Sequence, residues 1–160
     1  MYVDALSFLE DEREAWRPYE ALDQLSDAQL EEPVEAAHGW SGRDLIGHLI
    51  GWQEAALSAA KQLAVNETSP SMTEIEADWA RRPDELNEEL LAPYRAMPVD
   101  ELRRRFRTIP GELRGYLTVV PESRWIKRAD NQEWFVGETL EHYEEHLPDL
   151  HAILGAARGG

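Results

Sequence analysis

The stretch Ser41-Gly42-Arg43-Asp44-Leu45-Ile46-Gly47-His48-Leu49-Ile50-Gly51-Trp52 decides how the rest of the chain is read. Its first four residues resemble a capping box: the Ser41 hydroxyl can accept an early helix N–H, and the Asp44 carboxylate can bond back to the helix start. A helix beginning there is expected to run to about Val65. It carries Leu45, His48, Leu49, Trp52 and Ala56 on one face. That stripe is apolar except at His48, which it turns toward the protein interior.

Helical spacing of apolar residues continues on both sides. Upstream, Leu6, Leu9, Trp16, Tyr19 and Leu22 predict a first helix over roughly 2–24. Ser26 can cap a short turn through Leu30, and Pro33 and Gly39 mark 31–39 as a connector. Downstream, 66–71 is rich in turn formers. Helix is expected over roughly 72–96, interrupted near Pro83, and again from Val99 to about Val119, where Pro110 is expected to kink or split it. The pattern breaks between 121 and 134, with Trp125 and Trp134 as packing anchors. A last helix is expected from about Gly137 to Leu154, ended by Gly155 and the Gly159-Gly160 tail. No stretch alternates with the period of a strand. The expected architecture is all-α: a four-helix bundle with additional short helices, forming one domain over 1–160.

Composition narrows the function. A chain of 160 residues that is 42% apolar can bury one core, and its 6 Trp argue against disorder. The formal net charge of -16 repels nucleic acid. The basic cluster Arg103-Arg104-Arg105 with Arg107 reads as a solvated helix face. Zero Cys excludes disulfides, thiolate nucleophiles and Cys-type zinc sites, but not chemistry on a thiol brought in as cosubstrate. No basic leader is visible and no apolar run reaches the ~18 residues of a membrane span, so the expected location is the cytoplasm, without membrane contact.

The histidines carry the chemistry. His142 and His146 lie four apart, so their side chains project from one helix face, continuing a stripe of Phe135, Thr139, Leu150 and Ile153. Two imidazoles so placed, with His48 from a facing helix, give three ligands for a divalent transition metal, Zn or Ni first. Three ligands leave a position open for water or substrate, as in catalytic sites. Taken singly, each would be a hydrogen-bonded core histidine. His38, in the connector, and His151, off the stripe, are read as bystanders. His142-Tyr143-Glu144-Glu145-His146 also fits the H-x-x-E-H pattern of inverted zinc peptidases. Those enzymes have a further ligand well downstream, and 14 residues follow His146.

The run Trp40 to Trp52, with its Trp-Ser start, His48 and Trp52, resembles the second-helix signature of the DinB-like superfamily. His142-Tyr143-Glu144-Glu145-His146-Leu147 resembles that superfamily's C-terminal H-x-x-x-H. Its members include damage-inducible DinB proteins, thiol transferases using bacillithiol or mycothiol, and a ClbS/DfsB-like branch. The last is the one that Asn87, the Val-Pro-Glu-Ser-Arg-Trp segment at 120–125 and the final helix resemble most. The resemblance implies up-down-down-up connectivity, a long link between the second and third helices, frequent homodimers, and a Zn or Ni site at His48, His142 and His146.

The expected function is that of a metal-dependent enzyme acting on a small molecule, by hydrolysis or by transfer of a low-molecular-weight thiol. The alternative is a protein that sequesters a small molecule or metal without turnover. A metal would lower the pKa of bound water or thiol and present it as nucleophile. Asp44, one turn before His48, could orient its imidazole or serve only as the cap. Tyr143 could donate to substrate or pack in the core. Glu145 could act as base, although its helical phase points it outward.

Overall fold

The computed structural model describes residues 1–159. Among the described residues nine α-helices follow one another: α1 (Ala5–Trp16), α2 (Asp27–Glu31), α3 (Gly42–Val65), α4 (Pro70–Arg81), α5 (Pro83–Ala96), α6 (Val99–Val119), α7 (Ala129–Val136), α8 (His142–Glu145) and α9 (Leu147–Gly159). No strand forms among the described residues, and no helix there is long and apolar enough to cross a membrane.

The capping box at Ser41 is present as the sequence suggests. Ser41 Oγ accepts the Asp44 N–H at 3.2 Å, and Asp44 accepts the Ser41 N–H at 3.0 Å. The helix it starts is buried along most of its length, which makes α3 the axis of the fold. Two apolar clusters stacked along α3 fix the direction of its neighbours. The first joins Trp16 at the end of α1, Leu45 and Leu49 early in α3, Leu102 and Phe106 early in α6, and Tyr143 and Leu150. The second joins Phe8 early in α1, Ala60 and Leu63 late in α3, Leu113 and Leu117 late in α6, and Phe135 in α7. Thus α1 and the α7–α8 segment run one way, and α3 and α6 run the other. The order is up-down-down-up, with α4 and α5 forming the crossover between the two parallel helices.

That crossover is pressed onto α3 at two glycines flanking His48. A Cβ on Gly47 would sit 2.7 Å from a Leu91 methyl, and one on Gly51 would sit 2.8 Å from the Leu90 carbonyl oxygen. The absence of these Cβ atoms lets α5 ride close over α3 and roof the region beside His48. Arg43 pins the same junction by donating to the carbonyls of Tyr94 at 2.9 Å and Met97 at 2.7 Å.

Several expected boundaries shift. The first helix ends at Trp16 and continues as a tighter 3-10 turn, Arg17–Gln24, once Pro18 enters. Pro110 does not split α6 into two elements. It forfeits one hydrogen bond, and the buried row of Leu102, Phe106, Ile109, Leu113 and Leu117 continues across it. The last helix begins earlier, at Ala129, widens into a π-turn over Gly137–Glu141, breaks at His146 and runs through Gly155 to Gly159. Thr139 Oγ bonds the Phe135 carbonyl at 2.7 Å, where it competes with the regular ladder just as the turn widens. Trp125 fills the second cluster, edge-on to Phe8 and Phe135. Arg105 and Arg107 pair on the surface with Glu54 and Asp23, whereas Arg103 departs from the expected solvated face: its largely buried side chain pairs with Asp23 and donates to the Leu25 carbonyl at 2.7 Å.

Candidate metal centre

Three elements converge at one end of the first cluster. The α3 stripe brings His48, which is 6% exposed. The π-turn delivers His142 as the first residue of α8, and His146 occupies the break between α8 and α9, with φ -95 and ψ 3. Pro148 follows two residues on, where a helix's first turn tolerates a missing N–H. The Nε2 atoms of His142 and His48 are 2.9 Å apart, and those of His48 and His146 are 3.1 Å apart.

The three imidazoles cannot satisfy one another with their own protons. His146 Nδ1 lies 2.9 Å from Asp149 Oδ2, which places its proton on Nδ1 and leaves Nε2 as a bare lone pair. His48 then has one Nε2 proton for two contacts. Added protons are disfavoured: burial, and then the neighbouring His146, lower the His48 pKa to about 4. Burial, and then His48 and His146, lower that of His142 to about 2. His142 Nδ1 is buried without any partner. A cation at the centre would satisfy all three lone pairs together. A tetrahedral site with metal–nitrogen bonds of about 2.0–2.1 Å needs nitrogens roughly 3.3 Å apart, a few tenths of an ångström beyond those observed. The donor set fits a divalent transition metal and offers no hard oxygen ligand for Ca²⁺ or Mg²⁺.

Two residues that the sequence reading left aside hold this arrangement. Asp149 is buried, and its second oxygen lies 3.1 Å from Nδ1 of His38. His38 is therefore not free of the site: it reaches Asp149 from the surface, with 84% of its side chain exposed. The connector achieves this through consecutive left-handed residues, His38 at φ 62 and Gly39 at φ 80, closed by an antiparallel bridge between Val34 and Trp40. Trp40, delivered by the same bridge, stacks on His146 with centroids 5.8 Å apart and tilts against His48 at 5.0 Å. A carboxylate three residues after a candidate ligand was the legible signal for Asp149.

The three named catalytic candidates separate. Asp44 is engaged in the cap and with Arg95 at 3.4 Å, and makes no hydrogen bond to His48. Tyr143 points away from the histidines into the core. There its hydroxyl donates to Glu12 at 2.8 Å and accepts from Gln53 at 2.9 Å, and burial raises its pKa well above the ordinary value. Glu145 is solvent-exposed, in keeping with its outward helical phase, and it also lines the cavity over the histidines, three residues after His142. His151 is exposed and lies outside this cavity.

The cavity has a volume of about 520 Å³ and is open at its mouth. Its floor is His48, His142 and His146, and its aromatic wall is Trp40, Trp52 and Trp79. Trp52 is held by its indole N–H, which donates to Asn87 at 2.8 Å. Glu138 and Glu141 also line it. The spacing of 138, 141, 142 and 145 marks one helical face, which could have revealed them. Burial, and then the charge of Glu76, push the Glu138 carboxyl up to about 7.

An all-helical up-down-down-up bundle with three imidazoles gathered beneath a pocket at one end of its core is a DinB-like protein. Within that superfamily, the chain belongs to the family described as mycothiol maleylpyruvate isomerase N-terminal domain, whose model matches residues 9–144. The match takes in His48 and His142 and stops before His146. It falls on the mycothiol arm rather than on the ClbS/DfsB-like branch that the chain's middle and end resemble. No curated protein and no solved structure matches the chain.

Proposed function

We propose that this chain is a metal-dependent enzyme in which His48, His142 and His146 hold one Zn²⁺ or Ni²⁺ and a low-molecular-weight thiol attacks a small molecule in the cavity above them. The observation that carries this reading is the convergence of three Nε2 atoms that lack the protons to satisfy one another. The mycothiol named in the family description gives the thiol a candidate identity. The absence of Cys from the chain requires that the sulfur be brought in.

The bound ion would supply Lewis acidity, stabilising a thiolate or hydroxide at neutral pH. The rest is done by the chain. Asp149 accepts the His146 Nδ1 proton and keeps that ring's lone pair aimed at the site. Trp40 and Trp52 close two sides of the histidine cluster against water. Glu138, with a pKa of about 7, can take up the proton that a thiol releases and return it to product. Glu145 faces the same cavity and is the second candidate for that task.

The test is metal content by plasma mass spectrometry after incubation with Zn²⁺ and Ni²⁺ and desalting, followed by an assay of thiol conjugation to a chromogenic electrophile. About one ion per chain is expected for a single three-histidine ligand set, with loss of the ion and of turnover in His142→Ala. No bound metal under either condition would sink the reading. Stoichiometric metal without turnover would make this a binding protein instead of an enzyme.

A further inference from the structure

The cavity over the histidines has a wall whose charge is not balanced. Asp84 on α5, and Glu138, Glu141 and Glu145 at the π-turn and α8, all line it, and none makes an ion pair among the described residues. The cation among the lining residues, Arg95, is already engaged by Glu88 and, at 3.4 Å, by Asp44. Even with a divalent ion on the histidines and Glu138 protonated, the lining keeps a net negative charge.

The same wall carries indole faces. Trp79 is 50% exposed at the rim and meets the buried Trp52 edge-to-face at 5.6 Å. Packed on Trp52 at one edge, Trp79 leaves the other half of its ring in solvent beside the carboxylates. Carboxylates attract any cation, but a small inorganic ion gains little from tryptophan. An organic cation gains from both, through charge pairing and through attraction to the indole quadrupole. A dicarboxylate such as maleylpyruvate would meet repulsion with no free guanidinium to offset it.

We infer that the substrate taken into this cavity is an organic cation, an amine- or ammonium-bearing small molecule, rather than a carboxylate. The inference rests on the proposed function only in placing the chemistry at this cavity, and it deepens that reading by naming the substrate's charge.

The test is a tryptophan-fluorescence titration at moderate salt with three probes of similar size: phenyltrimethylammonium, benzyl alcohol and phenylacetate. The cation is expected to bind at least tenfold more tightly than the alcohol, with phenylacetate weakest. In Glu138→Gln/Glu141→Gln that preference should fall at least fivefold, while Glu112→Gln, outside the cavity on α6, should match the parent. A preference under tenfold, or one that the double substitution leaves within fivefold of the parent, overturns the inference. Should the double variant fail to fold by circular dichroism, Trp79→Ala at the exposed rim takes its place, with the same fivefold criterion for affinity. Each titration is run on chelator-treated and zinc-loaded protein with zinc measured on the same samples. Zinc uptake without cation preference overturns this inference alone; cation preference without zinc uptake overturns the metal reading alone.

Discussion

His142 and Tyr143 are adjacent on α8 and enter two polar clusters of opposite kind. Tyr143 turns inward, donates to Glu12 and accepts from Gln53, while Glu12 also takes the Arg114 guanidinium. Most donors there meet acceptors and a positive charge meets a negative one, in a largely buried interior. Two buried atoms, Gln53 Oε1 and Arg114 Nη2, are left without partners and offset part of that gain. His142 turns to two further imidazoles whose facing nitrogens are all potential acceptors, at the floor of an open cavity. A buried polar cluster that completes itself contributes to the fold, whereas one made of like groups waits for a ligand.

The largest expected effect would break the first cluster. Glu12→Ala leaves Arg114 with its charge uncompensated and half-buried, and should cost about 3–5 kcal/mol in urea unfolding. His142→Ala in metal-free protein should change stability by no more than about 1 kcal/mol, because it removes a ring whose Nδ1 already lacks a partner. The reverse ranking would mean that the histidines are structural and the contrast false.

In protein carrying Glu138→Gln, which removes the carboxyl whose raised pKa of about 7 acts in the opposite sense over the same range, acid should act through the two histidines. The folded pKa of about 4 for His48 and about 2 for His142 lies below the ordinary value of 6.5, so between those limits the unfolded chain binds more protons. Metal-free stability is therefore fully present above pH 6.5 and falls as pH drops toward 4. The slope is up to about 1.4 kcal/mol per pH unit for each histidine. The melting temperature of that protein measured from pH 7.5 to 5 should fall, and adding His142→Ala should flatten the fall. A profile identical in the two proteins would assign the acid loss elsewhere.

A smaller effect sharpens the role of Asp149. Asp149→Asn keeps the shape but weakens the acceptor for His146 Nδ1–H, and should lower metal affinity roughly 10–100-fold. Isothermal titration with Zn²⁺ reads this directly. Unchanged affinity would reduce Asp149 to a link between His38 and the break after α8.

The bundle and the ligand-bearing stripes were legible because both are periodic. Leu45, His48, Leu49 and Trp52 share a phase, as do His142 and His146, and burial follows phase. What escaped depended on departures from regular helix. The π-turn at Gly137–Glu141 interrupts the regular ladder between α7 and α8 just before His142. The break at His146 swings Asp149 back onto its own ligand, and the left-handed pair at His38 and Gly39 carries Trp40 and His38 to the same place from a connector. None of these has a period. Each is set by a local conformation whose consequence appears only when the elements pack.

The smallest effect bears on the residue for which sequence left two roles open. Asp44 is one turn before His48, so either capping or orientation of the imidazole was possible. In the fold its carboxylate accepts the Ser41 N–H at 3.0 Å and lies 3.1 Å from the Ser41 hydroxyl, which occupies it at the helix start, and it makes no hydrogen bond to His48. Asp44→Ala should therefore cost about 1 kcal/mol of stability, the usual worth of a cap. It should leave zinc affinity within about twofold, since a carboxylate that orients a ligand is worth at least tenfold. The ratio of the two effects is what matters. Asp149 should move affinity more than stability, and Asp44 stability more than affinity. A tenfold loss of zinc affinity in Asp44→Ala would place Asp44 in the ligand's support, and the line drawn between groups that complete the fold and groups that complete the site would have to be moved to include the start of α3.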